Sequence, residues 1–354
     1  MKKIAIVVGA RPNFMKVAPL LRLLDSKKSF NTTLIHTGQH YDKKMSGVFF
    51  QDLDIRKPDY NLNVRSGSHS EQSAKIMIKF ERICSKIKPD LLLVVGDVNS
   101  TMACSIVAKK LHIKVGHIEA GLRSYDHEMP EEINRLITDA ISDYFFVTEK
   151  SGVDNLLSEG HSKDKIFFVG NLMIDSLHYG LNKIQQKKLY NSEKYGLVTL
   201  HRPSNVDQIE NLKEILDALS EIAKDIKLIF SIHPRTKKKI KEYDIKLNKN
   251  ITILEPVSYL NFLHMMRDSK VIFTDSGGIQ EESTVLKIPC YTIRDNTERP
   301  ITIAQGTNRL VGTKKKNIIK IFKKNKLSIK SDYKLPRFWD GNSSKRILEA
   351  LQKK

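Results

Sequence analysis

Short apolar runs alternate with segments of helical periodicity along the whole chain of 354 residues. The apolar runs predict strands at 3–8, 32–37, 91–96, 114–118, 144–148 and 166–169, and then at 196–200, 227–232, 251–254, 271–274, 289–293 and 309–312. The helical patterns between them include 15–27, 70–87, 100–111, 131–142, 208–224 and 279–287. Because strands alternate with helices, we predict parallel sheets joined by right-handed crossovers.

The two series of strands predict an α/β protein with two Rossmann-like domains, residues 1–170 and 171–340. We place the break around 171–195, where LNKIQQKKLYNSEKYG is polar between two apolar runs. Ligands of open α/β sheets bind beyond the carboxyl ends of the strands. Two such domains are expected to face a central cleft, so the residues at the strand ends are the candidates for chemistry.

The formal net charge of +20 raises the question of a nucleic-acid partner, and more than half of this excess lies in one segment. Residues 314–354 contain fourteen Lys or Arg residues and three acidic residues, which gives +11. The lysines are interleaved with Ile, Leu and Asn, and few aromatic residues are available for base stacking. We interpret the segment as a solvated surface and predict no nucleic-acid partner.

The three cysteines, Cys84, Cys104 and Cys290, are widely spaced and odd in number. This pattern predicts reduced, buried thiols in a cytoplasmic protein rather than disulfides or a zinc site. The apolar run near the start covers only residues 4–8, which is too short for a signal peptide. No apolar stretch approaches transmembrane length, so we also predict no membrane association.

The first predicted strand ends in GARPNFMK, which is not the GxGxxG fingerprint, so the sequence does not support NAD. Gly9 permits a tight turn, and Arg11 and Lys16 follow near the start of a helix. A guanidinium, an ammonium and a helix N-terminus together favour a phosphate group. Two interpretations stay open here, a phosphate site or two cations on a solvated first turn.

Three acidic residues stand at or near the ends of two later strands. Asp97 follows the strand 91–96, Glu119 follows the strand 114–118, and Glu131 opens a helix behind Pro130. A buried strand end carries an acid only where the acid is paired or used, which suits general acid–base chemistry for Asp97 and Glu119. Glu131 has a second interpretation, because acids near a helix start often only complement the helix dipole.

The second series of strands ends in cationic residues and in a glycine pair. His201 and Arg202 follow the strand 196–200, and Arg294 and Arg299 follow the strand 289–293. TDSGG at 274–278 places bare backbone N–H groups at a helix start, where an anion binds. No two histidines lie one turn apart on a predicted helix and no GxSxG occurs, so neither a metal site nor a covalent hydrolase is supported. The residues alone predict a phosphorylated or nucleotide-linked ligand and acid–base chemistry without redox.

The motifs together resemble those of the non-hydrolysing UDP-N-acetylglucosamine 2-epimerases. In chain order they are GARPNFMK, GQH, GD, HIEAGLR, PEEINR, HRP, TDSGGIQEE, RDNTERP and GTNRLVGT, and they cover about the whole chain. The resemblance implies a glycosyltransferase-B-like fold and a homodimer. It also implies that a last helix, at 344–353, completes the first domain.

The resemblance implies a UDP-sugar substrate and reversible epimerisation at C2 of the sugar, in the synthesis of surface polysaccharide precursors. A base removes the C2 proton as UDP leaves C1, and the resulting 2-acetamidoglucal is reprotonated on its other face before UDP adds back. Carboxylates would carry the protons, while cations and N–H donors would hold the leaving group. No cofactor and no metal are needed.

The residue roles that the resemblance implies follow its motifs. The implied catalytic set is Asp97, Glu119 and Glu131, with His201 as a diphosphate contact or proton donor. The implied substrate contacts are Arg11, Lys16, Ser276, Gly277 and Gly278 at the diphosphate and UDP, Phe262 at the uracil, Glu282 at the ribose, Arg135 and Arg299 at other parts of the substrate, and Gln39, His40 and Gln72 towards the sugar or an adjoining site.

Three other functions remain as alternatives. The first is 2-epimerisation of a related UDP-amino sugar, a deoxy or diacetamido hexose, because the residues that meet the remote substituents of the sugar are not placed. The second is a hydrolysing epimerase that releases free N-acetylmannosamine. The third is a glycosyltransferase or a nucleotide-sugar sensor, which the acids of the first domain argue against, since carboxylates in a phosphate-binding cleft weaken binding unless they are used.

The chain departs from the family pattern at several positions. Many members read GTRPE where this chain has GARPN, and HRRE where it has HRPS. Some bacterial members are activated by a second substrate molecule, bound partly by an Arg immediately before the position of Gln72, and this chain has Glu71 there. We therefore predict that activation by substrate is weakened or absent.

Overall fold

The computed structural model describes residues 1–39, 52–184 and 194–354. The chain divides into two α/β units, unit 1 with Met1–Tyr179 and Arg337–Lys354, and unit 2 with Gly180–Pro336. Each unit contains one parallel sheet in its described part.

Unit 1 contains a seven-stranded parallel sheet in the order β3-β2-β1-β4-β5-β6-β7. Its strands are β1 Lys2–Val8, β2 Phe30–His36, β3 Tyr60–Asn61, β4 Leu91–Val95, β5 Lys114–Ile118, β6 Tyr144–Val147 and β7 Ile166–Phe168. Its helices are α1 Arg11–Asp25, α2 His69–Ile87, α3 Asn99–Lys110, α4 Pro130–Ile141, α5 Lys150–Ser158 and α6 Leu172–Lys183, with a short 3-10 turn at Lys163–Lys165. All strands predicted for this half are confirmed, and the two-residue edge strand β3 was not predicted.

The core of unit 1 lies on both faces of the sheet. Every residue of β4 is buried, which is why this strand reads as an unbroken apolar run. Ile76 and Phe80 of α2 pack in one cluster with Leu92 and Val94. The helix predicted over 15–27 begins earlier, at Arg11, because Pro12 occupies its first turn, where a missing N–H is harmless.

Unit 2 contains a six-stranded parallel sheet in the order β10-β9-β8-β11-β12-β13. Its strands are β8 Tyr195–Thr199, β9 Lys227–Ser231, β10 Ile251–Leu254, β11 Val271–Thr274, β12 Cys290–Thr292 and β13 Asn308–Leu310. Its helices are α7 Pro203–Val206, α8 Ile209–Ile222, α9 Pro234–Glu242, α10 Tyr259–Asp268, α11 Gly277–Val285, α12 Pro300–Ala304 and α13 Lys315–Asn325. The second series of predicted strands is confirmed, and Phe230, Phe273 and Phe322 pack in its core.

The boundary between the units lies at Tyr179, not at the predicted 170. The first part of α6 belongs to unit 1, because Leu172 and Leu177 are buried and the Ser176 hydroxyl donates to the carbonyl oxygen of Met15. Because the residues after α6 are polar, the sequence predicted a linker from residue 171 onwards. The boundary lies later because the first turns of α6 bury apolar side chains in unit 1.

The chain returns to unit 1 at Arg337 and ends in helix α14, Ser343–Gln352. This is the last helix that the family resemblance placed at 344–353. Its first two N–H groups, of Ser343 and Ser344, donate to the Asp175 carboxylate at 3.0 and 2.8 Å. Asp175 therefore acts as the missing cap of this helix and fixes it to α6.

The order of each sheet reverses at one point, between β1 and β4 in unit 1 and between β8 and β11 in unit 2. Ligands of such sheets bind at the carboxyl ends of the strands on either side of the reversal. The same strand ends carry the motifs GARPN and GD in unit 1, and HRP and TDSGG in unit 2.

Two further predictions concern the cysteines and the membrane. Cys84, Cys104 and Cys290 are free and buried, and burial raises the pKa values of Cys84 and Cys290 to about 12. Among the helices of the described ranges, none combines the length and the apolar character that a bilayer crossing requires.

Candidate active site

The turn after β1 is built around Asn13. The backbone N–H groups of Gly9 and Ala10 donate to the Asn13 side-chain oxygen at 3.1 and 2.9 Å, and the Asn13 amide donates to the Val95 carbonyl at 3.0 Å. A Cβ at Gly9 would lie 2.3 Å from the Ser100 hydroxyl, so only glycine fits. Asn13, one of the departures from the family pattern, thus ties the turn to the end of β4.

Lys16 and Glu119 form a partly buried ion pair between α1 and the end of β5. Glu119 is 5% exposed, and its backbone is left-handed with φ of 74°. A non-glycine residue is held in this conformation against a steric cost of about 1 kcal/mol, and such residues concentrate at functional sites. A Cβ at Gly96 would lie 3.6 Å from both charged groups, so the turn that carries Asp97 borders this pair.

Asp97 is paired with Arg135 of α4, whose Nη1 lies 2.5 Å from the Asp97 carboxylate. Arg135 is buried and also donates from Nε to Glu132 at 2.9 Å. Glu132 accepts two further hydrogen bonds, from the N–H groups of Ser124 and Tyr125, both at 3.0 Å. Burial raises the pKa of Glu132, but these N–H donors and Arg135 outweigh it and leave the pKa below its ordinary value.

Glu131 and its neighbour Glu132 differ sharply in environment. Glu132 is 1% exposed, whereas Glu131 lies on the exposed side of the first turn of α4. Within the described ranges, the Glu131 carboxylate has no hydrogen-bond or ion-pair partner. The structure therefore brings Asp97, Glu119 and Glu132 into paired networks and leaves Glu131 outside them.

A chain of amides lines the same edge of unit 1. Gln39 accepts from the Ser100 hydroxyl at 2.6 Å, and Gln72 accepts from the Asn99 amide at 2.9 Å. The Asn134 amide donates to the Asp97 carbonyl at 2.9 Å and to the Asn99 side-chain oxygen at 3.2 Å. Sequence reasoning missed Asn99 and Asn134, although both stand inside the motifs GDVNST and PEEINR.

In unit 2, Asp275 organises the end of β8. Its buried carboxylate accepts from the N–H groups of His201 and Arg202 at 3.0 and 2.9 Å, and lies 2.8 Å from the His201 imidazole Nδ1. Burial raises the pKa of Asp275, but His201 and Arg202 outweigh it and hold the pKa below its ordinary value. Since the ionised carboxylate only accepts, Nδ1 carries the proton, and Asp275 sets the orientation of the 43% exposed His201 side chain.

Ser276 is the N-cap of α11 and Gly277 is its first residue, and several ion pairs lie beside them. A Cβ at Gly277 would lie 3.0 Å from the Glu298 carboxylate, which pairs with Arg202 at 3.3 Å and with Arg294 at 2.8 Å. Burial raises the pKa of Glu298, but Arg299, Arg202 and Arg294 outweigh it and lower the pKa strongly. The sequence signalled Arg202 and Arg294 only as general positive charge.

The two glutamates that follow the glycine pair are both engaged. Glu281 is buried and lies 2.9 Å from Nε of Arg299, and Glu282 accepts from the Tyr259 hydroxyl at 2.8 Å. Glu282 stands one turn beyond Gly278 on the same side of α11. Phe262 is half-buried and follows Tyr259 by three residues on α10, so the two share a side of that helix.

The comparisons with known proteins match the chain over nearly its full length. The sequence profile described as UDP-N-acetylglucosamine 2-epimerase matches residues 22–352. The chain belongs to the UDP-N-acetylglucosamine 2-epimerase family. It is 46% identical to the UDP-N-acetylglucosamine 2-epimerase of Methanocaldococcus jannaschii, over 99% of this chain and 98% of that protein. The family membership expected from the motifs is thereby confirmed.

One solved structure and one further relative are similar to this epimerase-family chain over nearly its full length. The crystal structure of the Methanocaldococcus jannaschii enzyme in complex with UDP-GlcNAc and UDP superposes with a TM-score of 0.89 at 43% identity, covering 99% of this chain and 100% of that one. The expected glycosyltransferase-B-like class of fold is confirmed by this similarity. The UDP-2,3-diacetamido-2,3-dideoxy-D-glucuronate 2-epimerase of Pseudomonas aeruginosa is 37% identical over 99% of both chains.

The epimerase motifs separate into two groups in the structure. Unit 1 brings together Lys16, Gln39, Gln72, Asp97, Glu119 and Arg135, and unit 2 brings together His201, Ser276, Gly277, Gly278, Glu282 and Arg299, with Phe262 on the neighbouring helix. Arg11 is the first residue of α1, and His40 lies outside the described residues. Among the described residues, no group of three His, Cys, Asp or Glu residues could hold a metal ion.

Proposed function

We propose that the protein interconverts UDP-N-acetylglucosamine and UDP-N-acetylmannosamine without hydrolysis, as an isomerase acting at C2. The pairing of Asp97 with Arg135 and of Glu119 with Lys16 carries this proposal, because it places two carboxylates with adjacent cations at the ends of neighbouring strands. The full-length similarity to the Methanocaldococcus jannaschii enzyme supports the choice of substrate.

The nucleotide part of the substrate is assigned to unit 2. The N–H groups at Ser276, Gly277 and Gly278 would meet the diphosphate at the start of α11. Glu282, one turn further along α11, would accept hydrogen bonds from the ribose hydroxyls. An acidic residue binds the ribose in the same way in dinucleotide-binding folds. Glu281 adds no free negative charge near the diphosphate, because Arg299 pairs with it.

The proton transfers are assigned to the carboxylates of unit 1. One carboxylate takes the C2 proton while the C1–O bond to UDP breaks, and the electron pair of the C–H bond forms the C1–C2 double bond of 2-acetamidoglucal. A second carboxyl group delivers a proton to the opposite face of C2 as a UDP oxygen rejoins C1. Two faces of one carbon need two proton carriers, which matches Asp97 and Glu119. His201 would donate to the departing diphosphate.

Three finer features belong to the same proposal. We infer a homodimer in the cytoplasm that supplies precursors of surface polysaccharides, on the strength of the family resemblance and the three free, buried cysteines. Sedimentation of the purified chain at twice its 40.6 kDa mass is the expected result for the assembly.

A second candidate substrate is a 2,3-diacetamido UDP-sugar, favoured by the Pseudomonas aeruginosa relative. Product analysis with each UDP-sugar separates the candidates. We expect UDP-N-acetylglucosamine to reach a mixture with its manno epimer while the total UDP-sugar stays constant. Accumulation of free N-acetylmannosamine with UDP would instead show a hydrolysing enzyme, and turnover of the diacetamido sugar alone would show the second candidate.

The neighbours Glu131 and Glu132 give a matched test of the acid–base assignment. Glu131, the third carboxylate that the family resemblance implies, would pass protons to or from Asp97 and Glu119, so we expect Glu131→Gln to lower kcat by about 10²-fold without changing UDP affinity. Glu132→Gln removes a buried partner of Arg135 and is expected to lower the free energy of unfolding by about 3 kcal/mol. Turnover and thermal unfolding of both variants check this. Near wild-type turnover of Glu131→Gln would show that Glu131 only interacts favourably with the dipole of α4.

Activation by a second substrate molecule is expected to be weakened or absent, because the Glu71 carboxylate already caps the start of α2. Its carboxylate accepts from the Ser68 N–H at 3.2 Å while the Ser68 hydroxyl accepts from the Glu71 N–H at 3.2 Å, a reciprocal cap of the helix start. Initial rates with UDP-N-acetylmannosamine alone should be hyperbolic in substrate. A lag that trace UDP-N-acetylglucosamine abolishes would contradict this prediction.

A further inference from the structure

The buried imidazole of His117 lies in β5 and is flanked by two acceptors. Its Nδ1 is 2.6 Å from the Asp139 carboxylate of α4, and its Nε2 is 2.8 Å from the Gly96 carbonyl oxygen. Both His117 and Asp139 are completely buried. Neither residue belongs to the acid–base chemistry derived above.

Asp139 is held by several donors besides His117. Its carboxylate accepts from the Gly121 N–H at 3.0 Å and from Arg123 at 2.7 Å. Burial raises the pKa of Asp139, but His117 and Arg123 outweigh it and keep the pKa below its ordinary value. His117 is therefore held at both ring nitrogens, by this carboxylate and by the Gly96 carbonyl oxygen.

Ion pairs surround these two residues. Arg123 pairs with Asp139 and, at 2.6 Å, with Glu159. Lys16 and Glu119 form a pair at the same strand end. A buried network of this kind is stable only while every member keeps its partner.

The network joins the two turns that carry the catalytic acids. Through His117 it holds the Gly96 carbonyl, immediately before Asp97, and through Asp139 it holds the Gly121 N–H, two residues after Glu119. Gly96, Glu119 and Gly121 all have left-handed backbone, with φ of 69°, 74° and 79°. Turns of this conformation keep their geometry only where surrounding contacts determine it.

We propose that the hydrogen-bonded pair His117–Asp139 is a positioning device that fixes the separation and orientation of the turns that carry Asp97 and Glu119. The proposal rests on the proposed epimerase function. It assigns no contact with substrate to either residue, so both act through the turns they hold.

The hold on the turns is tested without any assay of activity. Amide hydrogen exchange at Gly121, whose N–H donates to Asp139, should be faster in Asp139→Asn than in the wild type. Unchanged exchange at Gly121 in a folded variant would overturn the proposal, whatever the enzyme catalyses.

The positioning role is tested by Asp139→Asn, with Asp143→Asn as the matched control. Asp143 accepts from the Val115 N–H at 2.8 Å at the opposite end of the same strand, so its change perturbs β5 away from the acids. We expect Asp139→Asn to lower kcat by about 10²-fold, because a displacement of about 1 Å at the reacting groups has an effect of that size. The UDP Kd and the KM should be unchanged, and Asp143→Asn should turn over as the wild type does.

Two outcomes would overturn the positioning role. One is a folded Asp139→Asn variant with wild-type kcat, and the other is an equal loss of kcat in Asp139→Asn and Asp143→Asn. If Asp139→Asn does not fold, the milder His117→Gln, which can still donate to Gly96, takes its place with the same expected split between kcat and KM. Lack of turnover by the wild type itself would count against the proposed function and leave the hydrogen-exchange result to stand or fall alone.

Discussion

Replacing Glu119 by Gln is expected to lower kcat by about 10³-fold, the loss typical of an essential proton carrier. The amide has nearly the same shape as the carboxylate but cannot carry the C2 proton. Asp97→Asn should lose activity to a similar extent, since each acid serves one face of C2. UDP affinity should stay near the wild-type value, because the nucleotide is assigned to unit 2.

The matched control is Glu81→Gln, the same chemical change at an exposed position of α2. Exchange at C2, measured from each epimer separately, assigns the two carboxylates to the two faces of the sugar. A kcat within about threefold of wild type for either variant would remove that residue from the acid–base pair.

Asp275→Asn is expected to lower kcat by about 10²-fold and the free energy of unfolding by about 2 kcal/mol. The amide offers one oxygen where the carboxylate now accepts from His201 and Arg202, and its NH₂ group faces N–H donors. The orientation of the His201 ring is lost with the Nδ1 contact. Kinetics, UDP titration and thermal unfolding of the variant provide the measurements.

The pH dependence gives this prediction a second readout. The pKa of Asp275 is lowered by folding, so its stabilising contribution is complete above the unfolded value of about 4 and disappears as the pH falls through the folded value. The difference in stability between wild type and Asp275→Asn should therefore vanish in acid. Asp217→Asn, on the exposed surface of unit 2, should show neither effect. A constant difference down to acid pH, or unchanged kcat, would contradict the assignment.

Much of the fold could be predicted because its signals are local. The unbroken apolar runs of β4 and β11 reflect burial on both faces, and Gly9 after β1 marks a turn that admits no side chain. The positions of Asp97 and Glu119 at strand ends followed from the apolar runs of β4 and β5. The unit boundary was placed too early because the polar residues beyond α6 masked its buried first turns.

The parts of the candidate site that could not be predicted depend on which side chains pair once the chain is folded. Sequence alone could not show that Arg299 neutralises Glu281, or that Glu132 rather than Glu131 faces Arg135. The direction of a side chain in the first turn of a helix depends on how the whole helix docks. Arg299 offsets the charge of Glu281 beside the loop to which we assign the diphosphate, whereas Glu282 accepts from the Tyr259 hydroxyl.

In the proposed reaction the C2 proton is lost reversibly as UDP departs. Proton NMR of UDP-N-acetylglucosamine incubated with the enzyme in D₂O tests this most directly. We expect deuterium at C2 of both epimers, with UDP retained on the sugar at equilibrium. Epimerisation with the C2 proton retained, or no exchange at C2 of any UDP-amino sugar, would contradict it.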